Sequence, residues 1–235
     1  MEAQKCQSQS CSNMTNNMTL QNKDLIECKV ESEYVGDTIH HVNTQVVALF
    51  DKDGNRVVDL LNSGYIILEK TPFYAESGGQ VADKGFMRTA KSGDNDKLIV
   101  ENVIKAPNGQ HLHTVRILDG VISQGEPIEA KIDIAFREKV TINHSATHLL
   151  HHALKQVLDE SVYQAGSSIN DKVIRFDFNY TNNLEDEDVI KIEMLVNELL
   201  KVSLVEKQEM TIEEAKSLGA TALFDDKYGS YVKTI

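Results

Sequence analysis

The spacing of apolar residues changes after Ala135, and that change constrains the fold more than any other feature of the chain. Before it, apolar residues alternate in short runs; after it, they recur about every 3.6 residues. A chain carrying both patterns builds a strand-rich part and a helix-bearing part, so the predicted fold class is α+β. Strands are predicted over Thr44–Asp51, Arg56–Leu60, Ser63–Lys70, Lys97–Lys105, His111–Leu118 and Glu126–Ile134. Asp53-Gly54, Asn62-Ser63-Gly64, Asn108-Gly109 and Asp119-Gly120 separate them, and such pairs favour tight hairpins because Gly and Asx accept positive φ. Several short strands with no helix between them suggest a small antiparallel β-barrel.

In His144–Leu158 the residues Leu149, Leu150, Ala153, Leu154, Val157 and Leu158 fall on one helical stripe, with Thr141 or Asn143 as the predicted cap. Ser161–Ile169 and Val173–Tyr180 read as a strand pair turning at Asn170-Asp171. Asn183–Leu204 reads as a second amphipathic helix whose first turn is acidic, where the helix dipole favours anions. A strand over Ser203–Glu209, a short helix over Ile212–Leu218 ending at Gly219, and a strand starting at Tyr231 complete the pattern. The predicted organisation is a disordered polar tail over 1–24, a barrel-like subdomain over 25–137, and an α+β subdomain over 138–235.

Composition excludes several function classes. The 24 basic and 36 acidic residues give a formal charge of −12, which argues against a broad electrostatic grip on nucleic acid. Recognition of RNA through one end or one loop stays open. No apolar run reaches the ~20 residues of a membrane span, so no membrane partner is expected. Cys6, Cys11 and Cys28 are an odd set confined to the start of the chain, which points to a reducing compartment, the cytoplasm.

Three segments carry chemistry. His144 and His148 stand at i and i+4, so a helix places both imidazoles on one face, within reach of one metal ion. Such pairs are more often ordinary surface or packing histidines, and His151 and His152 read as the flank of the same helix. Zinc needs four ligands, or three and water, so the chain as written holds half a site. His111 and His113 read as ordinary strand positions. Thr71–Gly85 contains Gly78-Gly79, which either presents backbone N–H groups to a phosphate or simply turns a hairpin. Gln164, in VYQAGSS, either holds a polar substrate group or a water, or is a structural amide.

The strings TPFYAESGGQ, NHSATHLLHHAL, VYQAGSSIN, IRFDF, IEMLVNELL and GATALFDDKYGSYVKTI occur in this order. Together they closely resemble the editing region of alanyl-tRNA synthetases, from about Ile39 to Ile235. The part after His144 also resembles freestanding alanyl-tRNA editing proteins and the editing domain of threonyl-tRNA synthetases, but FYAESGGQ and GATALFDDKYG favour the alanyl branch. The resemblance implies a small barrel followed by an α/β-sandwich editing domain that hydrolyses tRNA(Ala) mischarged with serine or glycine. An activating site rejects an amino acid of similar size poorly, so a second, hydrolytic site is required. It also implies zinc held by His144 and His148, with the remaining Cys and His ligands expected beyond Ile235. Gln164 matches the editing-site glutamine, Thr147 matches directly, and Ser145 stands where many members have Thr. Gly78, Gly79 and Gln80 match the loop that faces the tRNA acceptor end. The ATP-dependent aminoacylating half of the family has no counterpart here, so the rest of a synthetase is an expected partner. A non-catalytic fragment docking tRNA or a subunit, with its metal site incomplete, is the alternative reading, as is a threonyl-type editing domain.

Overall fold

A computed structural model describes residues 21–89, 98–202, 208–211, 213–214 and 231–234. The polar tail predicted over 1–24 therefore lies, up to residue 20, outside the described residues, as does most of the helix predicted over Ile212–Leu218. The chain divides into two compact units, Met1–Lys139 and Val140–Ile235.

The first unit opens with α1 (Lys23–Glu27), capped by the Asn22 side chain, which accepts from the Asp24 N–H. Strands β1 (Glu33–Tyr34), β2 (His41–Phe50), β3 (Arg56–Val57), β4 (Asp59–Leu60), β5 (Ser63–Leu68) and β6 (Lys70–Thr71) follow. Then come β7 (Gly85–Thr89), β8 (Leu98–Lys105), β9 (His111–Ile117), β10 (Ile122–Ser123) and β11 (Pro127–Ile132). Six of them close a barrel in the order β2-β5-β9-β8-β7-β11, and β11 returns to pair with β2. Every pairing around it is antiparallel. The glycines of three predicted turns, Gly54, Gly109 and Gly120, all have positive φ. Strand β7 was not among the predicted strands.

Two bulges organise the barrel's core. On a regular strand, side chains three apart face opposite ways. Register shifts between Val46 and Ala48 on β2, and between Val100 and Asn102 on β8, reverse that parity. Val46 and Leu49 consequently share one buried cluster, as do Val100 and Val103, together with Ile66, Leu68, Phe73, Met87 and Val115. Ala48, Phe50, Ile67, Ile104 and Leu112 point to the opposite side, where Leu25 of α1 and Cys28 cover them. The covering segment is fixed by amide donors: Asn108 Nδ2 to the Ile26 and Cys28 carbonyls, and Gln110 Nε2 to those of Cys28 and Val30. His113 is fully buried in the barrel. Its Nδ1–H donates to the Ile66 carbonyl at 2.9 Å, and its Nε2 lies 2.7 Å from the Thr71 hydroxyl. Burial pushes its pKa down to about 3, so the neutral ring uses both nitrogens.

Helix α2 (Ile134–Val157) starts ten residues earlier than the predicted His144. Thr141 and Asn143 lie inside it and do not cap it; Asp133 Oδ1 accepts from the Phe136 N–H at 3.0 Å instead. Three residues into α2, Arg137 forms a buried ion pair with Asp83 and donates to the Gly36 and Pro72 carbonyls. Asp83 also accepts from the Tyr74 N–H at 2.8 Å, and its own N–H donates to the Tyr74 carbonyl.

The second unit contains the rest of α2, β12 (Gln164–Ile169), β13 (Ile174–Phe178), α3 (Asp186–Val202), β14 (Gln208–Thr211) and β15 (Tyr231–Thr234). β12 pairs with β13, and β14 with β15, both antiparallel. The turn between β12 and β13 is held by Asn170 Oδ1, which accepts from the Lys172 and Val173 N–H groups. Ala153, Leu154, Val162 and Ile192 form the small core, flanked by Phe176, Phe178 and Val196. This architecture is the predicted α+β class, with a closed six-stranded barrel. Among the described residues, no helix is long and apolar enough to cross a membrane.

Candidate functional site

In the second unit, two hydrogen bonds lay α2 alongside β12. Near one end Asn143 Nδ2 donates to the Asn170 carbonyl at 2.7 Å. Two helical turns later His151 Nε2–H donates to the Val162 carbonyl at 3.2 Å. Residue numbers rise along the helix as they fall along the strand, so Ser145–His148 and Gln164–Ser167 both lie between these anchors.

The His144 and His148 rings lie together, with centroids 5.4 Å apart and planes 18° from parallel. A closed tetrahedral zinc site needs four ligands, or three and water, so a stacked pair of imidazoles is by itself no more than a candidate for half of one. The His148 side chain is exposed, yet surrounding atoms and the nearby His151 lower its pKa, which favours the neutral, ligand form. Among the described residues there is no group of three or more His, Cys, Asp or Glu that could hold a metal. The described residues thus bring two histidines together and contain no closed metal site.

Ser145 is half-buried on the same helix. Thr147 is buried, and its hydroxyl donates to the Asn143 carbonyl one turn back at 2.9 Å. That bond occupies the hydroxyl proton and leaves only its lone pairs. His151 is buried against Phe176, and burial lowers its pKa; His152 is exposed, so both behave as helix flank. Gln164 is half-buried at the start of β12, with Nε2 donating to the Ser167 hydroxyl at 2.8 Å. Ser167 had no role in the sequence reading, although it stands in the same VYQAGSS string.

An apolar cavity of about 450 Å³ lies between α2, β13 and α3, lined by Leu150, Leu154, Phe176, Phe178, Ile192 and Val196 among others. None of His144, His148 or Gln164 lines it, and its walls offer almost nothing polar to orient a substrate.

In the first unit, Gly78 and Gly79 form the exposed tip of a two-residue turn. Their φ angles are 59° and 81°, and Ser77 and Gln80 exchange backbone hydrogen bonds across it. These are the values of a type I′ hairpin turn. No atom lies within 4 Å of where a Gly78 Cβ would stand, so glycine is required there for backbone conformation and not for internal space. The Gln80 side chain is buried and is not part of the exposed tip. The loop is closed at its base by Asp83, the partner of Arg137.

A family model described as tRNA synthetases class II (A) matches residues 1–136. The whole chain is similar to alanine–tRNA ligases: 42% identical over 238 residues to that of Bacillus cytotoxicus, and 42% over the same length to that of Bacillus anthracis. It is 40% identical over 243 residues to that of Halalkalibacterium halodurans. Each alignment covers 100% of this chain and 26% of the relative, so the chain spans about a quarter of their length.

Proposed function

The chain belongs to the tRNA synthetases class II (A), with its whole length matching a region of alanine–tRNA ligases, and we propose that it is the editing part, hydrolysing Ser-tRNA(Ala) or Gly-tRNA(Ala). The observation that carries this reading is the paired His144 and His148 on α2, set between the same two anchors as Gln164 on β12.

The substrate is an ester between an aminoacyl group and the terminal ribose, and water attacks its carbonyl. His144 and His148 supply two zinc ligands, and the others come from outside the described residues. When bound, zinc supplies Lewis acidity to the ester carbonyl. Gln164 orients the aminoacyl group or the water. Ser145 and Thr147 hydroxyl oxygens border the group; Thr147, with its proton committed to Asn143, acts as an acceptor. The Gly78-Gly79 turn meets the tRNA acceptor end with its backbone N–H groups, and Gln80 anchors that turn from within.

The test is single-turnover hydrolysis of Ser-tRNA(Ala) by the full chain, with zinc supplied and with zinc chelated. We expect hydrolysis that falls at least about tenfold in His148→Ala and Gln164→Ala. Hydrolysis of Ser-tRNA(Thr) in preference would reassign the chain to threonyl-type editing. Absence of hydrolysis with either tRNA would reject the enzyme and leave the tRNA- or subunit-docking reading, which the presence of only two ligands among the described residues favours.

A further inference from the structure

We propose that Ser167 is a positioning residue for Gln164: brought onto the same face by a bulge, it holds the carboxamide with Nε2 turned into the protein and Oε1 offered outward as an acceptor. The inference rests on the reading of Gln164 as a site residue given above.

Gln164 and Ser167 are three apart on β12, so on a regular strand they would face opposite ways. The register with β13 shifts between Gln164, opposite Phe178, and Gly166, opposite Asp177. Ala165 is thereby the extra residue of a bulge, and the parity of the strand reverses across it. The same device joins Val46 to Leu49 on β2 and Val100 to Val103 on β8, where the reward is apolar packing. On β12 the reward is polar: the Gln164 amide reaches the Ser167 hydroxyl at 2.8 Å. Gly166 suits the kink, because a Cβ there would meet the Asp177 carboxylate at 3.1 Å.

This arrangement restricts what Gln164 can do. A free glutamine at the start of a strand samples several χ angles and both orientations of its amide. Held by Ser167, it loses that freedom before any ligand arrives, which is the condition for an effective contact. With Nε2 engaged, the ligand group that Gln164 meets through Oε1 is a hydrogen-bond donor: an α-ammonium, a hydroxyl or a water.

The experiment is NMR of the side-chain amides in the full chain, with the Gln164 pair assigned by its disappearance in Gln164→Asn. The two Gln164 Nε2 protons are expected to be well separated, one of them protected from exchange. Ser167→Ala should remove that protection and move the pair to the positions of a free glutamine while backbone signals elsewhere stay in place; Ser167→Thr, which keeps the hydroxyl, should restore both. A Gln164 pair unchanged in Ser167→Ala, or unprotected in the parent chain, overturns the proposal whether or not the chain is a deacylase. If the parent chain hydrolyses Ser-tRNA(Ala), Ser167→Ala should lower the single-turnover rate about tenfold, with Ser167→Thr close to the parent. A Ser167→Ala rate equal to the parent's also overturns it. A parent chain without hydrolysis counts against the proposed function alone, and the spectra still decide the role of Ser167.

Discussion

Two glycines in the first unit would answer the same substitution for different reasons. Gly78 has a φ of 59° at an exposed tip with no atom within 4 Å of where a Cβ would stand, so Gly78→Ala meets only the backbone cost of the left-handed region, about 1 kcal/mol. Gly85 stands where β7 crosses β11, and a Cβ there would lie 2.2 Å from the Lys131 carbonyl oxygen. Gly85→Ala has to push the strands apart and should cost about 3 kcal/mol. Urea unfolding of both variants checks the ordering; equal costs would mean that the β7–β11 seam is slack. His113 adds a pH dependence with a definite sign. Its pKa falls from 6.5 in the unfolded chain to about 3 in the barrel, so the unfolded state binds more protons between these values. Stability is full above pH 6.5 and is lost as pH falls toward 3. Between pH 7 and pH 5 the loss from this ring is about 2 kcal/mol. Thermal unfolding of the barrel should show it, and the slope should flatten in His113→Gln. An unchanged slope would show that the ring contributes nothing to it.

At the scale of elements, the tie between Asp83 and Arg137 holds the base of the Gly78-Gly79 loop and the first turn of α2 at once. Both side chains are largely withdrawn from water, so removing one strands the other's charge, at about 3–5 kcal/mol. Arg137→Met and Asp83→Asn should each destabilise by that order in urea unfolding. The double variant should cost less than their sum; strict additivity would mean that the two do not act as a pair. Little of this was legible in the sequence. Arg137 lies in the stretch that joins β11 to the apolar stripe, and its β-branched neighbours, Ile134, Val140, Thr141 and Ile142, hide the start of the helix. Asp133, whose Oδ1 accepts from the Phe136 N–H, carries no sequence mark that distinguishes it from any other Asp. Strand β7 is not legible because five residues between a glycine loop and a polar stretch give too few alternations. The longer strands and the DG and NG turns were legible because each depends on residues adjacent in sequence. The two-residue strands β1 and β10 depend on distant partners and were not, while the strand predicted over Arg56–Leu60 is split into β3 and β4. At the candidate site, the i,i+4 spacing of His144 and His148 could be read directly. The contact between Gln164 and Ser167 could not, because a bulge is a property of two strands together.

For the molecule as a whole, charge limits how the tRNA proposed as its substrate can be held. With 24 basic against 36 acidic residues, few phosphates can be neutralised by this chain alone. Raising salt from about 50 to 200 mM should weaken tRNA binding less than tenfold, whereas a contact surface of six or more phosphates would lose about a thousandfold or more. Filter binding at the two salt concentrations separates these outcomes. The closure of the barrel has a consequence for biosynthesis as well. Strand β11 is the last of its six strands to be made, and it alone zips β7 to β2. Until Ile132 has left the ribosome, both of those ladders hang open, and an unpaired ladder invites pairing with another chain. A nascent chain stalled short of Pro127 is therefore the form in which this protein is most prone to aggregate.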